Sequence, residues 1–148
     1  MRQVEYAMRF TGKATPASAD GSVLHAATSA PSAVMTSRVD SKGLGGGLEK
    51  VPGDEATFTS EVTFTSDTDF LETGEITFGK GNTLHFSTVG SGYLAPSTDS
   101  KRKHGVVMWR VDEGDGQFAG ATGLITSNFF VDDQLGVVDH HFGVLLLP

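Results

Sequence analysis

The strongest constraint in this sequence is an alternation of apolar and polar residues with a period of two. From Ala56 onward, one face carries Ala56, Phe58, Ser60, Val62 and Phe64, and the other carries threonines and one glutamate. Such alternation, in residues that are β-branched or aromatic, is typical of a half-buried strand. No run of helical period is long and apolar enough to predict a major helix.

Further segments repeat this alternation, and a Lys80-Gly81-Asn82 turn predicts a tight hairpin between two of them. The predicted strands are Val4–Phe10, Ala56–Thr65, Gly74–Phe78, Leu84–Thr88, Val107–Val111, Ile125–Val131 and Val137–Leu147. An open sheet of this many strands would expose its edges, and closure into a barrel removes them. We therefore predict an all-β fold, a small closed antiparallel barrel of about eight strands with little helix. A two-sheet sandwich is the structural alternative.

The stretch from Gly12 to Asp54 departs from this pattern. It is rich in Ala, Ser, Thr, Gly and Pro and contains Gly45-Gly46-Gly47. Val23–Ala27 and Val34–Val39 could form short strands within it, but the composition favours a long flexible loop. No Gly-Lys-Ser/Thr follows the three glycines, so they do not predict a phosphate loop. We expect one domain over residues 1–148 with a loop region at about residues 12–54.

Composition and charge exclude several classes of protein. Hydrophobic residues make up 38% of the chain and charged residues 20%, which is typical of a folded domain. Cysteine is absent, which excludes disulfide frameworks, thiolate metal sites and cysteine nucleophiles. The net charge of −7 opposes binding to nucleic acid. We interpret the one basic cluster, Lys101-Arg102-Lys103-His104, as a solvated entry to a strand.

Neither end of the chain resembles a membrane or export segment. The longest apolar run, Val144–Leu147, is far shorter than the roughly 20 residues that a membrane span needs. The first residues alternate like a strand and lack the apolar stretch of a secretory signal. These features predict a soluble, cytoplasmic protein with no membrane partner.

The histidines do not predict a metal site. They stand at positions 25, 85, 104, 140 and 141, and none forms a His-x-His or His-Glu-x-x-His pattern. The neighbours His140 and His141 would point to opposite faces of a strand, so they cannot bind one ion together without a bulge. We expect no metal and no cofactor.

Two glycine-containing segments suggest a relationship to a known group of barrels. The pattern Gly-x-Gly-x-Phe-x-Gly-x-x-Gly is formed by Gly114, Gly116, Phe118, Gly120 and Gly123. Together with Glu72–Gly79, it resembles the allene oxide cyclase-like and dirigent-like barrels and related small bacterial barrel proteins. The resemblance covers roughly the C-terminal half, from about Glu72 onward.

This resemblance implies a barrel that forms a homo-oligomer, a trimer or a dimer, and that acts on or guides small molecules. In those families the motif joins two late strands, its glycines permit positive φ, and its phenylalanine plugs the barrel end. The active-site cysteine of the cyclases has no counterpart in this chain, so the resemblance does not carry their reaction over.

The last predicted hairpin contains the candidate catalytic residues. If Asp133-Gln134 is a two-residue turn, Ser127 lies opposite His140 and both side chains point into the lumen. A neutral imidazole in an apolar lumen can act as a general base, with Ser127 as its orienting partner. The alternative is a buried structural histidine that the hydroxyl satisfies. The same register points Asp139 and His141 outward.

Inward-facing aromatic residues are the candidates for substrate binding. Tyr6, Phe58, Phe86 and Trp109 fall on inward faces of predicted strands, and Tyr93 lies in a segment, Gly90–Pro96, that could form the rim. Aromatic side chains at such positions usually fill the core, but Tyr6 and Trp109 also carry polar groups that need partners. A barrel of about eight strands can just hold one small molecule.

Three functions fit these features. The first is a small-molecule isomerase or cyclase that acts on an apolar substrate inside the barrel without a cofactor. The second is a non-catalytic carrier of a small hydrophobic ligand, which the lack of a strong catalytic motif favours. The third is a structural oligomeric barrel, for which an outward face through Leu145 and Leu147 would supply contacts.

Overall fold

Eight antiparallel strands close into a barrel in the computed structural model, which describes residues 1–148. The strands of the chain are β1 (Arg2–Pro16), β2 (Val23–Ala30), β3 (Ala33–Asp40), β4 (Gly43–Lys50), β5 (Ala56–Phe64), β6 (Asp69–Phe78), β7 (Thr83–Thr88), β8 (Gly92–Pro96), β9 (Arg102–Gly114), β10 (Thr122–Asp132) and β11 (Gly136–Leu147). Around the barrel the order is β1, β2, β5, β6, β7, β9, β10 and β11, and β11 pairs with β1. The prediction of a small closed all-β barrel is confirmed.

The short strand β8 is an addition to this closed sheet. It pairs with β9 through Tyr93–Pro96, beyond the residues of β9 that pair with β7. It also pairs with the first two residues of β6. The only helical segment is a short 3-10 turn at Gly116–Phe118. No helix in the protein has the length and hydrophobicity that a membrane-spanning segment needs.

The interior follows from the alternation seen in the sequence. On β5, Ala56, Phe58 and Ser60 are buried while the threonines between them are exposed. The five largest fully buried side chains are aromatic: Trp109, Phe10, Phe70, Phe86 and Phe118. The centre of the barrel is therefore an aromatic core.

The region at residues 12–54 is mostly strand, so its interpretation as a loop was wrong. Strand β2 contains Val23–Ala27 and continues the barrel, pairing with β1 and β5. Strands β3 and β4 pair only with each other and form an arm, Ala33–Lys50, that stands outside the barrel. The three glycines lie within β4. The loop interpretation failed because small residues in an exposed ribbon give no burial pattern to detect.

One end of the barrel is closed by the glycine-rich turn. Phe118 is buried and packs against Phe78, with ring centroids 5.4 Å apart. A Cβ on Gly114 would lie 2.6 Å from the Phe118 Cβ, so only glycine admits the phenylalanine there. Phe78 also meets Tyr6 edge to face at 5.1 Å. This end of the lumen is therefore filled with aromatic rings.

The hairpin between β10 and β11 has a different register from the predicted one. Val131 pairs with Val137, and Leu135 adopts a left-handed conformation (φ 62°) in a longer turn. Asp132 Oδ1 stabilises this turn by accepting hydrogen bonds from the backbone N–H groups of Gln134 and Gly136. The predicted two-residue turn was therefore wrong. One extra residue in the turn reverses the face of every later side chain of β11.

The reversal changes both faces of β11. Leu145 and Leu147 point inward and are buried, so the predicted outward face through them was wrong. The outward residues include Phe142, which is 52% exposed, while Val144 and Leu146 are half-buried. The apolar outer face of β11 is thus made by different residues.

Candidate functional site

A cavity of about 550 Å³ opens at the end of the barrel opposite Phe118. Its mouth is formed by the β1–β2 turn, the β8–β9 loop and the β10–β11 turn. Its wall is largely apolar, and the residues that contribute include Phe58, Val62, Phe64, Phe70, Leu94 and Phe129. A space of this size and character fits one small, mostly apolar molecule.

Asp139 lies on the cavity wall, held by two side chains of the same hairpin. Ser127 Oγ donates to Asp139 Oδ1 at 2.6 Å, and His141 Nε2 donates to Asp139 Oδ2 at 2.8 Å. All three residues are buried. Ser127 and His141 are direct cross-strand partners, and Asp139 is the next inward residue of β11. The two donors fix the orientation of the carboxylate.

His141 lies behind Asp139, away from the cavity. Phe10, Phe58 and Trp109 surround its ring, with centroids 4.2, 5.4 and 5.1 Å away. Its Nδ1 has no hydrogen-bond partner. Since a carboxylate accepts only from a donor, Nε2 carries the proton of this hydrogen bond. His141 therefore positions Asp139 and does not line the cavity itself.

Glu72 contributes a second carboxyl group to the cavity wall. Ser60 Oγ donates to Glu72 Oε2 at 2.6 Å, and Oε1 takes part in no side-chain hydrogen bond of the protein. Thr88 Oγ1 holds the main chain of Glu72 by accepting from its N–H at 2.7 Å and donating to its C=O at 2.8 Å. The carboxyl group is thus fixed on a rigid strand.

Burial raises the pKa of Glu72 to about 8. The hydrogen bond from Ser60 opposes this rise, and the charge of Asp139 adds to it. The Trp109 N–H also lowers the pKa, although it makes no hydrogen bond of ordinary geometry. At neutral pH Glu72 therefore carries a proton and can donate a hydrogen bond into the cavity.

The two carboxyl groups lie on opposite walls of the barrel. Strand β6, which carries Glu72, is separated from β11, which carries Asp139, by β5, β2 and β1 in one direction. In the other direction β7, β9 and β10 separate them. A molecule in the lumen consequently meets a hydrogen-bond donor on one side and a carboxylate on the other.

Four of the predicted substrate-binding residues lie inside the barrel. Phe58 lines the cavity. Phe86 and Trp109 are buried against Phe58 and each other, at centroid distances of 4.4 to 5.5 Å, and form an aromatic layer beneath it. Tyr6 lies at the closed end, where burial and the Asp139 charge raise the pKa of its unpartnered hydroxyl. Contact of these residues with a substrate stays a prediction.

Tyr93, the fifth predicted residue, points away from the lumen. It is 51% exposed, whereas its neighbour Leu94 lines the cavity. The backbone alternation of β8 sets this orientation: Gly92 faces inward against the Phe70 ring, so Tyr93 must face outward. The placement of Tyr93 at the pocket rim was wrong, although Leu94 and Pro96 of the same segment do line the cavity.

The predicted lumen position of His140 was also wrong. His140 is paired with Asn128 and lies on the outer face, where its Nε2 accepts a hydrogen bond from Arg9 Nε at 3.2 Å. Ser127 points into the lumen as predicted, but its partner is Asp139. The Asp139 and His141 pair, predicted to face outward, is the buried one. All these errors follow from the one extra residue in the turn.

Sequence reasoning missed Glu72 as a candidate, although a signal for it was present. Phe70, Glu72, Gly74, Ile76 and Phe78 occupy alternate positions of β6, so a carboxylate falls among inward residues. For β11 the alternation of apolar and polar residues indicated the wrong inward face. The outward set, with Val138, Phe142 and Val144, is more apolar than the inward set that holds Asp139 and His141.

The charged residues at the mouth are partly paired with each other. Arg102 Nε donates to Asp99 Oδ2 at 2.9 Å, and its guanidinium lies 4.0 Å above the Phe130 ring. Lys101 and Lys103 also line the mouth. No group of three or more histidine, aspartate or glutamate side chains has a geometry that could hold a metal ion.

Comparison with models of known protein families, with curated proteins and with solved structures gives no match. The resemblance to allene oxide cyclase-like and dirigent-like barrels therefore stays a prediction that rests on the glycine motif and the barrel.

Proposed function

We propose that this protein binds a small, mostly apolar molecule inside the barrel and isomerises it by proton transfer, without a cofactor. One observation carries the proposal: the largely apolar cavity has two carboxyl groups on opposite walls, in different protonation environments. Pairs of carboxyl groups whose surroundings separate their pKa values are typical of acid–base catalysis.

The two groups would have different roles. Asp139, whose oxygens are fixed by Ser127 and His141, is the base that removes a proton from the substrate. Glu72, protonated at neutral pH, donates a hydrogen bond to the substrate from the other side. Ser127, Ser60 and His141 are positioning residues because they act through the carboxyl groups. The aromatic layer around Phe58 excludes water, which strengthens both interactions.

A carrier protein would need the cavity but would not need the two carboxyl groups on its opposite walls. Buried carboxyl groups cost free energy, and an apolar lining would bind an apolar ligand more simply. The hydrogen bonds that hold Asp139 and Glu72 in place are therefore better explained by catalysis than by ligand transport.

Deuterium incorporation tests the proposal even though the substrate has not been identified. An apolar extract of the source cells is incubated in D2O with the protein, and each small molecule is followed by mass spectrometry. We expect at least one compound to gain deuterium with the wild-type protein and not with Asp139→Asn. Asp133→Asn, at the mouth but outside the pair, should retain the activity. A compound that binds but gains no deuterium would overturn the isomerase and favour the carrier.

A further inference from the structure

The polar groups of the cavity restrict which molecules can use it. Glu72 offers a proton from one wall, and Asp139 offers acceptor oxygens from the other. Most of the remaining lining between them is apolar, including the Phe58 ring and Val62. A ligand that satisfies both walls must present an acceptor atom to Glu72 and a hydrogen-bond donor to Asp139, and for the proposed proton transfer that hydrogen must be an acidic C–H.

A carbonyl group with an acidic C–H beside it has this pair of features. Its oxygen only accepts hydrogen bonds, so it matches a protonated carboxyl group and not a carboxylate. Its adjacent C–H becomes acidic when the oxygen is hydrogen-bonded, because charge develops on that oxygen. A carboxylate substrate would instead bring a second negative charge close to Asp139 in a low-dielectric site.

We infer that the substrate is an apolar ketone whose carbonyl oxygen binds Glu72 and whose neighbouring C–H faces Asp139. This inference rests on the proposed function and names its substrate class. The width of an eight-stranded barrel allows one such molecule between the two walls.

The proton transfer balances without any co-reactant. Asp139 takes the proton from carbon, and the C–H electron pair becomes a C=C bond while the carbonyl electrons move to oxygen. The resulting enolate oxygen is stabilised by the hydrogen bond from Glu72, which keeps its proton. Asp139 then returns its proton to the same carbon, or to the far end of a conjugated system. Either route restores the Asp139 carboxylate, and the second route moves a double bond.

Binding of 2-naphthol and 2-methylnaphthalene tests the recognition step. The naphthol carries an enolate-like oxygen, whereas the hydrocarbon has the same shape without it. By calorimetry at neutral pH we expect the wild-type protein to prefer 2-naphthol by about tenfold, the effect of one hydrogen bond to a charged or partly charged group. Glu72→Leu should abolish that preference. Asp139→Asn should keep that preference, because the donor at Glu72 is unchanged.

Exchange of the α-hydrogens of 2-tetralone in D2O, followed by NMR, tests the chemical step. We expect exchange faster than in buffer alone with wild type and with Glu75→Gln, which changes a carboxyl group on the outer face of the strand that carries Glu72. Asp139→Asn should exchange no faster than buffer, and its binding of 2-naphthol shows that it is folded.

The outcomes separate this inference from the proposed function. If extract compounds gain deuterium but 2-tetralone does not exchange and 2-naphthol is not preferred, the ketone class is wrong and the isomerase stands. If no compound gains deuterium, 2-tetralone does not exchange and neither naphthalene binds, both are wrong. A preference for 2-naphthol that is lost in Glu72→Leu, together with 2-tetralone exchange by wild type, supports both.

Discussion

Asp139 Oδ2 and His141 Nε2 lie 2.8 Å apart inside the barrel, although the two residues are separated by only one position on β11. Both are buried, and the outward-facing His140 stands between them in the sequence. A strand places alternate residues on one face, so this spacing is what brings a carboxylate and an imidazole together. The lumen thereby contains a carboxylate group of fixed orientation among residues that are largely apolar.

The free energy of unfolding should depend on this pair. In His141→Phe the aromatic surroundings are kept but Oδ2 loses its donor, which we expect to cost about 1–3 kcal/mol. Adding Asp139→Asn should recover part of that loss, because an amide is less costly to bury unpaired than a carboxylate. Urea denaturation of the two single variants and the double variant measures the coupling. Additive effects would show that the hydrogen bond contributes nothing to stability.

Glu72 should make the protein less stable as the pH rises. Its pKa is about 8 in the folded protein and near the ordinary 4.5 when unfolded, so the folded state holds a proton that the unfolded state loses. Stability should therefore fall between about pH 4.5 and pH 8, by up to about 1.4 kcal/mol per pH unit.

Glu72→Gln should remove this pH dependence and be more stable than wild type at pH 8, because glutamine imitates the protonated acid. Glu75→Gln on the outer face is the matched control and should keep the wild-type dependence. Thermal unfolding across this pH range measures the effect. Parallel curves for wild type and Glu72→Gln would mean that Glu72 is not protonated in the folded protein.

Filling the cavity should abolish binding without unfolding the barrel. Ala26 lines the cavity, and the next residue, Ala27, is exposed on the outer face of β2. Ala26→Phe should reduce the affinity for 2-naphthol by at least about tenfold, because its ring occupies the ligand space. Ala27→Phe adds the same ring outside and should bind normally in calorimetry. Equal affinities for the two variants would place the ligand elsewhere.

The arm formed by β3 and β4 should be dispensable for the barrel. It pairs with no barrel strand, and Val39 and Leu44 near its tip are 80% and 78% exposed. Replacing residues 34–49 by an Asn-Gly turn should shift Tm by no more than a few degrees, because little apolar area is lost from the core. A loss of cooperative unfolding would show instead that the arm is part of the folding unit.

The sequence predicts the barrel well because strands such as β5 alternate exposed threonine with buried residues. On β5, Phe58 is buried between the exposed Thr57 and Thr59, as expected. The glycine motif likewise predicts the plug, since Gly114 leaves the space that Phe118 fills. These features depend on local periodicity and sterics, which a single sequence displays.

The site could not be predicted in the same way. Its geometry depends on the length of one turn, where Leu135 adopts a positive φ that leucine does not signal. It also depends on Asp139 and His141 breaking the rule that apolar residues face inward. Residues that violate the pattern of the fold are expected at functional sites. For this reason the more apolar face of β11 did not indicate which side of the strand points into the lumen.

The central claim, that a molecule lies between Glu72 and Asp139, is tested most directly by a crystal structure of the protein with 2-naphthol. We predict that the rings lie over Phe58 and that the oxygen is within hydrogen-bonding distance of Glu72, on the side facing Asp139. Density for the naphthol on the outer surface only, with the cavity empty at concentrations that saturate binding in calorimetry, would contradict the account.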